Sequence, residues 1–154
     1  YTAAFASLCA AIENAVMAAG KIAVGRILDK KGLKTALYLS YSATAISMVG
    51  LAFFRAPLPL FLFLINLGLF FGCPLGTVGG VAATKEAAGE ENMQELVGIF
   101  ACCMTIGPMI MPILLGNAYD FLGSYSPLLL ALAAIQAVYI FFISRVFKLQ
   151  LKEE

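Results

Sequence analysis

The 154-residue sequence contains no histidine. That removes imidazole metal ligands, Ser/His and Cys/His nucleophile pairs and histidine proton relays, so an enzyme would have to work without the commonest acid–base side chain. Charge is scarce as well. Lys plus Arg number 10 and Asp plus Glu 9, which is 12% of the chain against 62% hydrophobic residues, whereas soluble domains carry about 25% charged residues. So few charges cannot cover a water-facing surface at a mean hydropathy of +0.93. The net charge of +1 supplies no field for nucleic acid, and no nucleic-acid partner is expected. Cysteine is limited to Cys9, Cys73, Cys102 and Cys103, none in a CxxC pair and all within apolar runs. They read as small buried hydrophobes, not as a zinc site or a disulfide framework. No metal and no cofactor is expected. The chain opens at Tyr1 with no short apolar core followed by a cleavage site, so no signal peptide is read, and the N-terminus looks cut from something longer.

What the sequence does have is long apolar runs. Stretches free of Asp, Glu, Lys and Arg cover 35–54, 56–84, 96–119 and 121–144. At 1.5 Å per residue, about 20 residues cross a hydrocarbon core of about 30 Å, so each run predicts a membrane-spanning helix. A fifth, 2–28, is nearly as apolar but contains Glu13, Asn14 and Lys21. The expected fold is therefore an all-α membrane protein of five transmembrane helices, at about 2–28, 35–54, 58–84, 96–118 and 126–145, with a cytoplasmic tail at 146–154. Connectors at 29–34, 55–59, 85–95 and 120–127 leave no room for a soluble domain. Lys30, Lys31, Lys34, Lys85, Arg145, Lys148 and Lys152 fall on one side against Arg55 on the other. By the positive-inside rule this places the C-terminus in the cytoplasm and Tyr1 outside. The expected location is multi-pass, in the plasma (inner) membrane, with membrane lipid as solvent and partner. The loop acids Glu86, Glu90, Glu91 and Glu95 read as a solvated face.

Gly68, Gly72, Gly76 and Gly80 recur every four residues in the third span, a ridge on which a neighbouring helix can pack closely or slide. Pro74 lies within that ridge. The fourth span holds Gly107, Pro108, Pro112 and Gly116, which predict interruptions of the helix, either as a gate or as a static kink.

The junction of the first two spans reads Gly25-Arg26-Ile27-Leu28-Asp29-Lys30-Lys31-Gly32-Leu33-Lys34-Thr35-Ala36-Leu37. On physical grounds Gly25 permits close approach, Asp29 ends the helix at the interface, Gly32 turns with positive φ and the lysines stay in water. The stretch resembles the loop motif of the major facilitator superfamily, G-x-L-a-D-r-x-G-r-k-x-x-l, departing from it at Leu33. The resemblance implies a gating role for Gly25, Arg26, Asp29, Lys30, Gly32 and Lys34, with Asp29 capping a helix of the opposite half-bundle. It also implies that the spans correspond to helices eight to twelve of twelve, a partial C-terminal six-helix bundle whose partner is the missing N-terminal half-bundle of the same transporter. A second stretch, Gly107-Pro108 followed by Gly116-Asn117-Ala118-Tyr119-Asp120-Phe121-Leu122-Gly123-Ser124-Tyr125, is similar to the eleventh-helix exit of oxalate/formate antiporter-like and monocarboxylate porter-like members. Asp120, Gly123 and Tyr125 carry that motif.

In those members a basic residue lies four positions before the loop glycine, and Lys21 stands there. Apart from any family, a lysine near the centre of a membrane helix costs about 2.5–3.5 kcal/mol, so it must face a cavity, a partner or the interface. Asn14, Met17, Lys21 and Gly25 share one helical face, which suits a polar stripe lining a pathway. The alternative is snorkelling, since Lys21 lies about 12 Å along the helix from Asp29. In those members the residue at the Lys21 position is an arginine to which the substrate carboxylate is assigned, and some oxalate-type members add an eleventh-helix lysine that 96–119 lacks; with lysine offering a point charge instead of a bidentate fork, the resemblance implies a single monovalent organic anion as the substrate. Glu13 reads as a proton-coupling carboxylate or as a residue near outer water. Asn66 reads as an interhelical hydrogen bonder, with substrate contact as the alternative.

These readings predict a fragment of a secondary active transporter, not an enzyme, moving a monocarboxylate-like anion by alternating access with proton symport or anion exchange. An exporter of drugs or carrier of neutral solutes is the rival in the same fold. A non-transporting membrane scaffold using the glycine ridge is the rival of another class.

Overall fold

The structure is a computed structural model that describes residues 3–53, 58–88 and 93–150. Arg55, Glu90, Glu91 and Lys152 lie outside the described residues. Within them every regular element is helical: α1 (Ala3–Phe53), α2 (Leu58–Pro74), a π-helical turn (Leu75–Gly79), α3 (Gly80–Ala88), α4 (Met93–Leu122) and α5 (Ser126–Gln150).

The 51 residues of α1 would form a rod of about 76 Å if straight, but Gly32 breaks it with φ 78° and ψ 168°. The packing on either side establishes a reversal. Gly20 lies against the backbone of Phe70, and Thr44 lies against Gly72, so positions twelve residues before and after Gly32 meet the same level of α2. In a straight helix they would be about 36 Å apart. Gly32 therefore divides α1 into two antiparallel legs, 3–31 and 33–53. The expected connector at 29–34 is in fact a single residue. Asp29 does not end the helix; it sits in the last turn before the break.

The legs then alternate in direction. Ser47 and Gly50 meet Leu64 while Leu37 approaches Gly79, so α2 runs antiparallel to leg 33–53. Gly80 meets Phe100 and Gly76 meets Met104, so α4 runs back along α3 and the π turn. The stacked rings of Tyr41 and Tyr139, 5.7 Å between centroids, join α5 to leg 33–53. The expected limits shift by a few residues. Lys85 and Glu86 lie within α3, Glu95 lies in the first turn of α4, and α5 runs past 145 to Gln150, into the expected tail. Lys85 near a helix C-terminus and Glu95 near an N-terminus both complement the helix dipoles.

The buried core is made of small residues: Val24, Ala36, Ser40, Ala43, Thr44, Ser47 and Ala133 with Leu64. Large apolar side chains point outward instead, among them Phe53, Met109 and Phe121 at 70%, 72% and 86% exposure. Among the described residues four helical stretches, Ala3–Phe53, Leu58–Glu86, Gln94–Leu122 and Ser126–Arg145, are long and apolar enough to cross a membrane, the first being the one that reverses at Gly32. An apolar exterior around a core of small residues is what helices packing in lipid require, because close contact replaces hydrophobic exclusion.

Candidate functional site

The glycine ridge positions the site. Its residues were expected to serve one partner, but they serve two. Gly68 and Gly72 receive Ser47 and Thr44 of leg 33–53, whereas Gly76 and Gly80 receive Met104 and Phe100 of α4. The reason lies between them. Pro74 carries no N–H, so the chain widens into the π turn Leu75–Gly79, which adds a residue to one turn and rotates the lower ridge away from the upper. Close approach also occurs where it was not expected. A Cβ at Gly20 would collide with the Phe70 carbonyl, while one at Gly25 would meet nothing within 4 Å among the described residues. The close helix contact within this chain is thus made at Gly20, one turn and a half before Gly25.

Helices splayed in this way leave an open cavity of about 730 Å3 between them. Met17 enters it from leg 3–31, Tyr41, Thr44 and Ser47 from leg 33–53, and Phe100 and Gln136 from α4 and α5. Among the described residues, no Asp, Glu, Lys or Arg lines it. Ser47 donates its hydroxyl to the Leu64 carbonyl at 2.6 Å, and Thr44 donates to the carbonyls of Ser40 and Tyr41 at 2.9 and 3.0 Å. A second cavity of about 660 Å3 lies beside Tyr119, Gly123 and Tyr125. It shares Leu51, Ile65 and Leu129 with the first, so the two stack along the bundle.

Of the residues expected to bind substrate, Met17 lines the larger cavity. Lys21 is exposed and forms no ion pair among the described residues. It stands one turn from Met17 and about 40° around the helix, at the edge of the cavity face. Asn14 is exposed, and its Nδ2 donates back to the Ala10 carbonyl at 2.8 Å. Asn66 donates to Leu62 at 2.8 Å, while its Oδ1 is buried without a partner. Glu13 is half-buried and seven residues before Gly20, so it faces the α2 side of its helix.

Residues 1–153 match the family model of the Major Facilitator Superfamily. The chain belongs to that superfamily. No curated protein and no solved structure matches it. Members of the superfamily are transporters, and this facilitator chain is an integral multi-pass membrane protein.

Its two motif regions are turns at opposite ends of the bundle. At the first, Arg26, Asp29, Lys30 and Gly32 are exposed and Lys34 is half-buried. At the second, Gly123 (φ 63°) donates its N–H to the Tyr119 carbonyl at 2.8 Å, the single left-handed cap that closes a helix C-terminus. Ser124 accepts the Ser126 N–H at 3.2 Å and starts α5, with Pro127 in its first turn. Tyr125 stacks on Tyr119, 4.9 Å between centroids, and Asp120 is exposed. Met93–Leu122 remains one helix through Pro108 and Pro112, so the interruptions expected of the fourth span do not divide it. Sequence reasoning missed Tyr41 and Gln136. Both are ordinary residues of apolar spans, and only the pairing of leg 33–53 with α5 brings them together.

Proposed function

We propose that the chain is part of a secondary carrier for a small organic anion of the monocarboxylate type. The observation that supports this reading is the position of Lys21. It lies eleven residues, about 16 Å, from the Gly32 turn, which is near mid-membrane. There it stands exposed one turn from a cavity-lining residue, and a cation at that depth requires an anion, water or a polar partner. Lys21 attracts the carboxylate, with Asn14, Met17 and Asn66 shaping its surroundings and Glu13 as the proton-coupling acid if transport is symport. Asp29 and the basic turn hold the cytoplasmic side closed in the outward-facing state, against the other half-bundle. In this orientation the C-terminus is cytoplasmic and the membrane is the plasma (inner) membrane. The oxalate/formate or monocarboxylate subtype rests on the exit motif at Asp120, Gly123 and Tyr125.

Uptake of a labelled monocarboxylate by cells expressing the full transporter tests this. Lys21→Ala should lower uptake about 100-fold, the equivalent of losing about 3 kcal/mol from a desolvated charge pair, with membrane insertion unchanged and Lys21→Arg retaining activity. Normal uptake by Lys21→Ala would remove the substrate assignment.

A further inference from the structure

One side of leg 3–31 takes no part in packing among the described residues. Gly20 and Val24 are buried, and the side turned away from them carries Leu8, Ile12 and Ile22 at 58%, 48% and 61% exposure. Helical periodicity brings Arg26 and Lys30 onto that same side, four and eight residues after Ile22. Both cations are exposed and form no ion pair among the described residues, and neither does Asp29, the acid nearest to them in sequence. Like charges four residues apart on a helix repel, so the pair favours an anion that both can reach. Depth sorts these side chains. Lys30 lies about 3 Å along the helix from the Gly32 turn, Arg26 about 9 Å and Ile22 about 15 Å. Cations at the membrane edge, followed inward by an exposed apolar track, match the layout of a phospholipid with its phosphate outermost. A guanidinium holds a phosphate through two parallel hydrogen bonds, and the lysine adds a point charge. A zwitterionic headgroup brings its own cation and gains less from the pair.

We infer that this side of leg 3–31 holds one anionic phospholipid, with Arg26 and Lys30 on its headgroup phosphate and Ile22 beside an acyl chain. Lys21 lies about 140° around the helix from Arg26, so the inference is independent of the anion reading.

The test places a bimane label at Ile22→Cys in the full transporter with its other cysteines replaced, in phosphatidylcholine bilayers. Dibrominated phosphatidylglycerol, or dibrominated phosphatidylcholine as the uncharged comparator, is titrated in, and bromine quenches the label only on close approach. The anionic lipid should reach half-maximal quenching at a mole fraction at least about ten-fold lower than the comparator. Arg26→Gln and Lys30→Gln should each raise that fraction about five-fold. Arg145→Gln, which removes a cation at the same end of the bundle from α5, should leave it unchanged. The comparison of the two lipids needs no charge variant to fold. Equal quenching by both lipids, or quenching by neither because polypeptide covers the face, would overturn the proposal. So would a loss with Arg145→Gln as large as with Arg26→Gln, which a general field of the basic end would give, or displacement of the lipid by inorganic phosphate at matched ionic strength. Failure of monocarboxylate uptake would leave it intact.

Discussion

Gly32 is the residue on which the bundle depends most. With φ 78° and ψ 168° it occupies a region that residues with a Cβ enter only at a cost of about 1–3 kcal/mol. Among the described residues a Cβ there would meet no neighbour within 4 Å, so the penalty for alanine is one of backbone alone. Gly32→Ala should therefore destabilise the folded protein by about 1–3 kcal/mol, read as a lower thermal midpoint in detergent. An unchanged midpoint would contradict it. Gly25 is the control. It lies in a continuous helix with nothing near its Cβ, and Gly25→Ala should be neutral or slightly stabilising. The positive φ of Gly32 was legible in the sequence because only a glycine between helix-forming flanks can turn so sharply. The contrast between Gly20 and Gly25 was not legible, because which side of a helix meets its neighbour is decided by tertiary packing.

At the scale of elements, the glycine ridge and Pro74 belong together. The spacing of four identified a packing surface, but a uniform 3.6-residue helix assigns it one partner. The π turn that follows Pro74 rotates Gly76 and Gly80 towards α4 while Gly68 and Gly72 stay with leg 33–53. Substitutions should separate accordingly. Gly72→Val, placed against Thr44, should loosen the α1–α2 contact and cost about 1–3 kcal/mol by overpacking. Gly80→Val should displace Phe100 and disturb only the start of α4, which shows as faster hydrogen exchange confined to α3 and α4. Exchange rising equally over leg 33–53 after Gly80→Val would contradict the division. In α4, Pro108 and Pro112 remove two helical donors, yet the helix continues through both. Proline counts alone do not predict where a membrane helix stops.

For the whole molecule, apolar run lengths disclosed the all-α membrane fold, since span length follows directly from bilayer thickness. The turn at Gly32 disclosed the superfamily, because it depends on a local backbone conformation that a fixed residue type must supply. The shape of the interior was less legible. The cavity draws on Met17, Tyr41, Phe100 and Gln136, which lie far apart in sequence and carry no spacing signal of their own. The central claim is that Lys21, near mid-membrane, borders water and not headgroups. Its most direct test replaces Cys9, Cys73, Cys102 and Cys103, introduces Lys21→Cys into the full transporter, and applies a membrane-impermeant maleimide to each side separately. Asp29→Cys and Asp120→Cys mark the two ends. The account predicts that Lys21→Cys reacts from both sides. Reaction from the Asp29 side alone, at the rate of Asp29→Cys, would contradict it.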